Sequence, residues 1–83
     1  GDPQVKARQK QLARERLKRK MLSEVPTATV VVTNPTHYAV ALRYDPKVGD
    51  DAPVVVARGT GQFAKRIAKA ARESGVTVVE RPP

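Results

Sequence analysis

Eighty-three residues are enough for one small domain with a thin core, and too few for two. With no cysteine, a disulfide framework, a thiol nucleophile and a thiolate metal site are excluded, and with His37 as the only imidazole a structural zinc centre is close to excluded. A formal net charge of +8 points to an acidic partner, whether nucleic acid, an anionic membrane surface or an acidic protein.

The three aromatic residues, Tyr38, Tyr44 and Phe63, are too scattered to form a base-stacking platform, which weighs against single-stranded nucleic acid. No run of about 18 apolar residues is present to span a bilayer. The opening Gly1-Asp2-Pro3-Gln4 lacks the basic and apolar regions of a signal peptide.

The first element is a helix over Gln4 to Leu22. Asp2 is its expected N-cap and Pro3 its first helical position, and Val25-Pro26 ends it. Its apolar stripe is thin, with Ala13, Leu17 and Met21 four apart and Leu12 and Val5 beside them. Between Lys6 and Lys20 the cations are Lys6, Arg8, Lys10, Arg14, Arg16, Lys18, Arg19 and Lys20, against the single acid Glu15. A helix of this kind buries little. It is either an ordinary solvated helix or a linker that lies near anionic lipid or docks a partner.

Valine-rich runs follow. Thr29 to Thr33 is β-branched and unalternating, which predicts a central strand buried on both faces. Tyr38 to Tyr44, Pro53 to Ala57 and Val76 to Glu80 are three more strands. Only Asn34-Pro35-Thr36-His37 separates the first two, so a sharp reversal is expected there. Asp45 to Ala52 reads as a surface loop. A second helix runs from about Gln62 to Ser74, with Thr60 as N-cap and Gly75 as the residue past its end. Phe63, Ile67 and Ala71, with Ala64 and Ala68, form its apolar face. The strands on either side of this helix should be parallel and joined in the right-handed sense. The expected architecture is α/β: a small four-stranded mixed sheet, a crossover helix packed on it, and the basic N-terminal helix projecting from the front.

Asn34-Pro35 has a chemistry of its own. Proline nitrogen carries no N–H, so it cannot attack the asparagine side chain as an ordinary following residue would. The reverse attack stays open: the side-chain nitrogen of Asn34 can close on its own backbone carbonyl, form a succinimide and expel the Pro35 nitrogen. A turn that distorts the peptide from planarity would weaken the bond to be broken. Completion in about ten minutes requires a barrier of roughly 21 to 22 kcal/mol, so the attacking nitrogen must be held close to the carbonyl. Thr36 and His37 follow directly. The imidazole could take a proton from the carboxamide, give one to the departing nitrogen, or orient the loop. An ordinary Asn-Pro turn is the plain alternative.

The run Val30-Val31-Val32-Thr33-Asn34-Pro35-Thr36-His37-Tyr38-Ala39-Val40-Ala41-Leu42-Arg43-Tyr44 closely resembles the signature of the FlhB/YscU family, the export-apparatus switch proteins of bacterial flagella and type III secretion injectisomes. Gly1 to Arg8 is similar to that family's linker, and Val54 to Gly59 and Gly75 to Glu80 to its later strands. The resemblance implies a cytoplasmic domain of a bacterial inner-membrane protein. It implies self-cleavage between Asn34 and Pro35 in a single turnover, without a cofactor or metal, and a consequent change of export substrate.

By the same resemblance Asn34 is the nucleophile, Pro35 the leaving side, and Thr36 and His37 shape the loop. Residues 1–25 are then a basic linker helix and residues 26–83 the self-cleaving domain. Its cut fragments should stay associated, and its partners should be other export components and secreted substrates, with the basic helix near anionic lipid. Family members continue into further helices, so this chain is expected to be a piece of something longer. Whether it serves a flagellum or an injectisome is left open, with Tyr38 to Leu42 looking slightly more flagellar.

Two alternatives belong to other classes. One is a basic nucleic-acid-binding module. The other is a nucleotide site, since Gly59-Thr60-Gly61-Gln62-Phe63-Ala64 fits G-x-G-x-x-[GA] between a strand and a helix, with Glu80 about 20 residues on. Against the latter, two strands precede the motif and no length remains for a doubly wound sheet.

Overall fold

The computed structural model describes residues 1–82. Helix α1 covers Pro3–Glu24. Asp2 caps it as expected, its Oδ1 accepting from the Gln4 N–H at 2.9 Å. The helix runs two residues beyond the expected end, and Val25–Thr27 then tightens into one 3-10 turn. Most of α1 is exposed, Leu17 and Val5 included. Only its end docks: Met21 and Leu22 pack against the core, and the Lys18 ammonium sits 5.6 Å from the Phe63 ring centroid.

Four strands follow: β1 (Val30–Asn34), β2 (Tyr38–Arg43), β3 (Val54–Thr60) and, after helix α2 (Gly61–Glu73), β4 (Thr77–Glu80). Their order across the sheet is β3-β2-β1-β4. β1 pairs antiparallel with β2 and parallel with β4, and β2 pairs antiparallel with β3. The sheet is therefore mixed, with β1 in its interior. β3 and β4 point the same way, as expected of strands joined by a crossover helix, but they lie at opposite edges. α2 thus passes over β2 and β1.

One row of the sheet explains the packing. Val31, Ala41 and Ala57 are in register across β1, β2 and β3, and all three are buried. Ala39 is buried beside them. These small residues let α2 lie close to the sheet, which it meets with Ala64, Ala68 and Ala71 while Phe63 and Ile67 fill the larger spaces. α2 ends as its sequence predicts. The Val76 N–H reaches the Ala71 carbonyl at 2.9 Å and the Gly75 N–H the Arg72 carbonyl at 3.2 Å, with Gly75 at a left-handed φ of 73°.

Two expectations need correction. β1 is not buried on both faces: Val31 and Thr33 are buried while Val30 and Val32 are half-exposed. The domain has one crossover helix, so one face of the sheet is covered and the unalternating valines reflect β propensity rather than double burial. β3 is also longer than expected, reaching Thr60 rather than Ala57, because Tyr38 and Ala39 of β2 offer partners to Thr60 and Gly59.

Candidate functional site

The chain reverses between β1 and β2 over Asn34-Pro35-Thr36-His37. The His37 N–H donates to the Asn34 carbonyl at 3.0 Å, and Asn34 pairs with Tyr38 at the mouth of the hairpin. Among the described residues only glycines have positive φ and no peptide bond is cis. The reversal is therefore a type I turn with Pro35 at its second position, where a fixed φ near −65° suits it.

The side chains of this turn converge on one atom. Asn34 Oδ1 accepts from the Thr36 N–H at 3.3 Å and from the Thr36 hydroxyl at 3.2 Å. His37 Nδ1 lies 3.2 Å from the same oxygen and 2.6 Å from Thr36 Oγ1. A single arrangement of protons satisfies all of these contacts. Thr36 donates its hydroxyl proton to Asn34 Oδ1, and His37 carries a proton on Nδ1 that it shares between the two oxygens. Asn34 is half-buried, whereas Pro35, Thr36 and His37 are exposed, so water reaches the turn.

The turn sits on a rigid base. The buried Thr33 hydroxyl donates to the Tyr38 carbonyl at 2.9 Å, and the Thr33 carbonyl accepts from the Arg81 N–H at 2.7 Å. β1 is thereby held on both sides up to the residue before Asn34. Of the four residues singled out from sequence, Asn34, Thr36 and His37 are brought together in one hydrogen-bonded ring, and among the described residues Pro35 shares their turn without a hydrogen bond of its own. Thr33 was missed, and its place in a β-branched run gives no signal that its hydroxyl faces inward.

A second polar cluster was also missed. Asp50 is buried within the Asp45 to Ala52 loop. It accepts from Arg43 Nε at 2.8 Å, from Arg43 Nη2 at 3.0 Å and from the Asp45 N–H at 2.9 Å. The Arg43 hydrogen bonds, then the Asp45 amide, hold its carboxyl below the ordinary value of 3.8. The same pairing raises the Arg43 guanidinium further above its usual value. This fork pins the loop to the end of β2, far along the strand from the Asn34 turn.

The glycine motif has structural occupations. A methyl on Gly59 would run into the Phe63 ring, whose Cγ would stand 3.2 Å away. Gly61 enters α2 with a φ of 55°, and Ala64 packs in the core. In a dinucleotide fold the next strand lies beside the first. Here two strands separate β3 from β4, and Glu80 pairs with Arg72 at 2.9 Å.

Comparison with known proteins places this turn in context. The model of the FlhB HrpN YscU SpaS family matches residues 1–83. The chain belongs to that family. Over 82 residues it is 51% identical to the flagellar biosynthetic protein FlhB of Aquifex aeolicus, and over 83 residues 49% identical to that of Bacillus subtilis. It covers 99% and 100% of itself in these matches and spans 23% of the length of each relative.

Among solved structures, the cytoplasmic domain of FlhB from Shewanella putrefaciens aligns with a TM-score of 0.70 at 44% identity, covering 76% of this chain and 47% of that one. A mutated EscU C-terminal domain aligns with a TM-score of 0.68 at 30% identity, covering 74% and 60%. The family assignment and the mixed four-stranded fold agree. Among the described residues no helix is long and apolar enough to cross a membrane.

Proposed function

We infer that this domain cuts its own backbone once between Asn34 and Pro35, and that the nicked domain serves as a substrate-specificity switch in flagellar protein export. One observation carries the chemistry: Asn34 Oδ1 accepts from the Thr36 N–H and hydroxyl, and His37 Nδ1 stands 3.2 Å from the same oxygen, a third donor when that nitrogen carries the ring proton. Donors at that oxygen stabilise the imidate form of the carboxamide, in which negative charge gathers on oxygen as a proton leaves Nδ2, and so make Nδ2 a better nucleophile. The ring of contacts also restricts the side chain, lowering the entropy lost on reaching the carbonyl.

The steps then balance. Nδ2 bonds to the Asn34 carbonyl carbon, the carbon–nitrogen bond to Pro35 breaks, and the Pro35 nitrogen takes a proton. The proton leaving Nδ2 passes to water, which reaches the exposed turn, and His37 relays one to the departing nitrogen, giving the proton on Nδ1 as Nε2 takes one from solvent. Water then opens the succinimide to leave a carboxylate on residue 34. No metal or cofactor is required.

The pieces 1–34 and 35–83 stay together after the cut. β1 is an interior strand with neighbours on both sides, and Val31 is fully buried. Burying such a side chain contributes roughly 1.5 to 3 kcal/mol. The nick therefore frees a turn and changes the surface around Asn34 and Pro35, where other export components and secreted substrates dock. The basic α1 lies near an anionic membrane surface and links residues 26–83 to it. Identity to two flagellar relatives supports the flagellar system over the injectisome.

Intact mass of freshly purified protein tests the cut. Two fragments that sum to the chain plus one water, and one uncut chain for Asn34→Ala, are the expected result. A folded parent that stays whole would reject it.

A further inference from the structure

Cleavage creates two charges where there were none, and the end of β4 carries one opposite charge for each. Glu80 is paired in register with Thr33, and the Arg81 N–H is held by the Thr33 carbonyl at 2.7 Å. β4 ends at Glu80, and carrying its register with β1 on by one residue would set Arg81 opposite Asn34. On the α2 side, Pro35 and Glu80 line one cleft of about 180 Å³ together with Thr33, Lys65, Ala68 and Arg72. Glu80 uses Oε1 toward Arg72, and a carboxylate can accept further donors on its second oxygen.

We propose that Glu80 and Arg81 form a receiving pair for the new termini, Glu80 taking the secondary ammonium of Pro35 and Arg81 the carboxylate on residue 34. This rests on the self-cleavage reading. The charges follow from the bond balance: one amide and one water give one carboxylate and one protonated proline nitrogen. The carboxylate forms on whichever carbonyl of the succinimide is opened, so residue 34 carries one negative charge in either case. Lys65 and Arg72, in the same cleft, repel the new ammonium, which leaves Glu80 as the cleft's one group of opposite sign. Together the two contacts hold the cut ends near their original places and oppose separation of the fragments.

The test compares Glu80→Gln and Arg81→Gln in two backgrounds, the cleaving parent and the uncleavable Asn34→Ala chain, reading mass and the rate of unfolding in denaturant. Both variants should cleave within about twofold of the parent rate, because neither side chain touches the turn's hydrogen-bonded ring. Each should speed unfolding of the nicked protein about fivefold more than unfolding of the uncut one, the scale of an exposed charge pair.

Comparing backgrounds removes the loss of the Arg72 contact, which is common to both. Equal acceleration in the two backgrounds, or none in either, would overturn the proposal. Added salt gives an independent arm should a variant fold poorly: it should speed unfolding of the nicked parent more than that of Asn34→Ala, and an equal response would count against the pair. A parent that never cleaves would remove both this proposal and the reading beneath it, whereas cleavage without the background difference removes this one alone.

Discussion

The hydroxyl of Thr33 donates to the carbonyl of Tyr38 at 2.9 Å, tying together the two residues that flank the Asn34 to His37 turn. Thr33 is 3% exposed, so water does not compete for this bond. It limits how far β1 and β2 can splay at the point where Asn34 must hold its side chain against its own carbonyl.

Thr33→Val keeps the shape and removes the hydroxyl. The Tyr38 carbonyl loses a partner, which costs about 1 to 2 kcal/mol of stability. Cleavage should slow about tenfold, as looser geometry raises the barrier by roughly 1.4 kcal/mol. A mass-spectrometric time course beside a thermal melt separates the two effects, and an unchanged cleavage rate would mean that the turn holds its geometry without this tie.

Thr36→Val and His37→Ala each remove a donor from Asn34 Oδ1. Both positions are exposed, so stability should hardly change, within about 0.5 kcal/mol. The rate should fall about tenfold for Thr36→Val and by about a hundredfold or more for His37→Ala, where a proton-transfer group is lost as well. Equal, small losses in both would assign His37 a purely orienting role.

How much of this was legible in the sequence depended on whether a residue's role was local. The turn, the Asp2 cap and the Gly75 stop are decided within a few residues, and each was read from spacing and type. The inward hydroxyl of Thr33 and the buried carboxylate of Asp50 depend on where distant strands bring their partners. In sequence Thr33 is one more β-branched residue, and Asp50 one more acid in a polar loop. The half-exposed second face of β1 was hidden for the same reason, since a valine run reports strand propensity and not how many layers cover the sheet.

Asp50 gives a pH signature. Its folded-state pKa is depressed, chiefly by Arg43 and then by the Asp45 amide, so the stabilisation it contributes is fully present above the ordinary value and is lost as pH falls through the depressed one. Asp50→Asn should melt below the parent at neutral pH, and the gap should narrow as pH falls below the ordinary carboxylate range and close once it passes the depressed value. A gap that persists in acid would mean that packing of the loop, rather than the charge of Asp50, sets its contribution. Cleavage should be unaffected when measured at neutral pH.

Gly59→Ala should destabilise by about 1 to 3 kcal/mol because its methyl meets the Phe63 ring. Gly61→Ala, with open space around it but a positive φ of 55°, should cost about 1 kcal/mol. Chemical denaturation measures both. In the parent, millimolar NAD or ATP should leave the melting temperature unchanged, and a concentration-dependent rise would revive the nucleotide reading.

The most direct measurement is the mass of the 1–34 fragment caught early and followed in time. Attack by the Asn34 side chain predicts a first species lighter by one water than the final fragment, converting to it as the succinimide opens, alongside a fragment beginning at Pro35. A fragment that appears from the first moment at its fully hydrated mass, in protein quenched faster than the imide can open, would mean that water cuts the bond directly and would contradict the account.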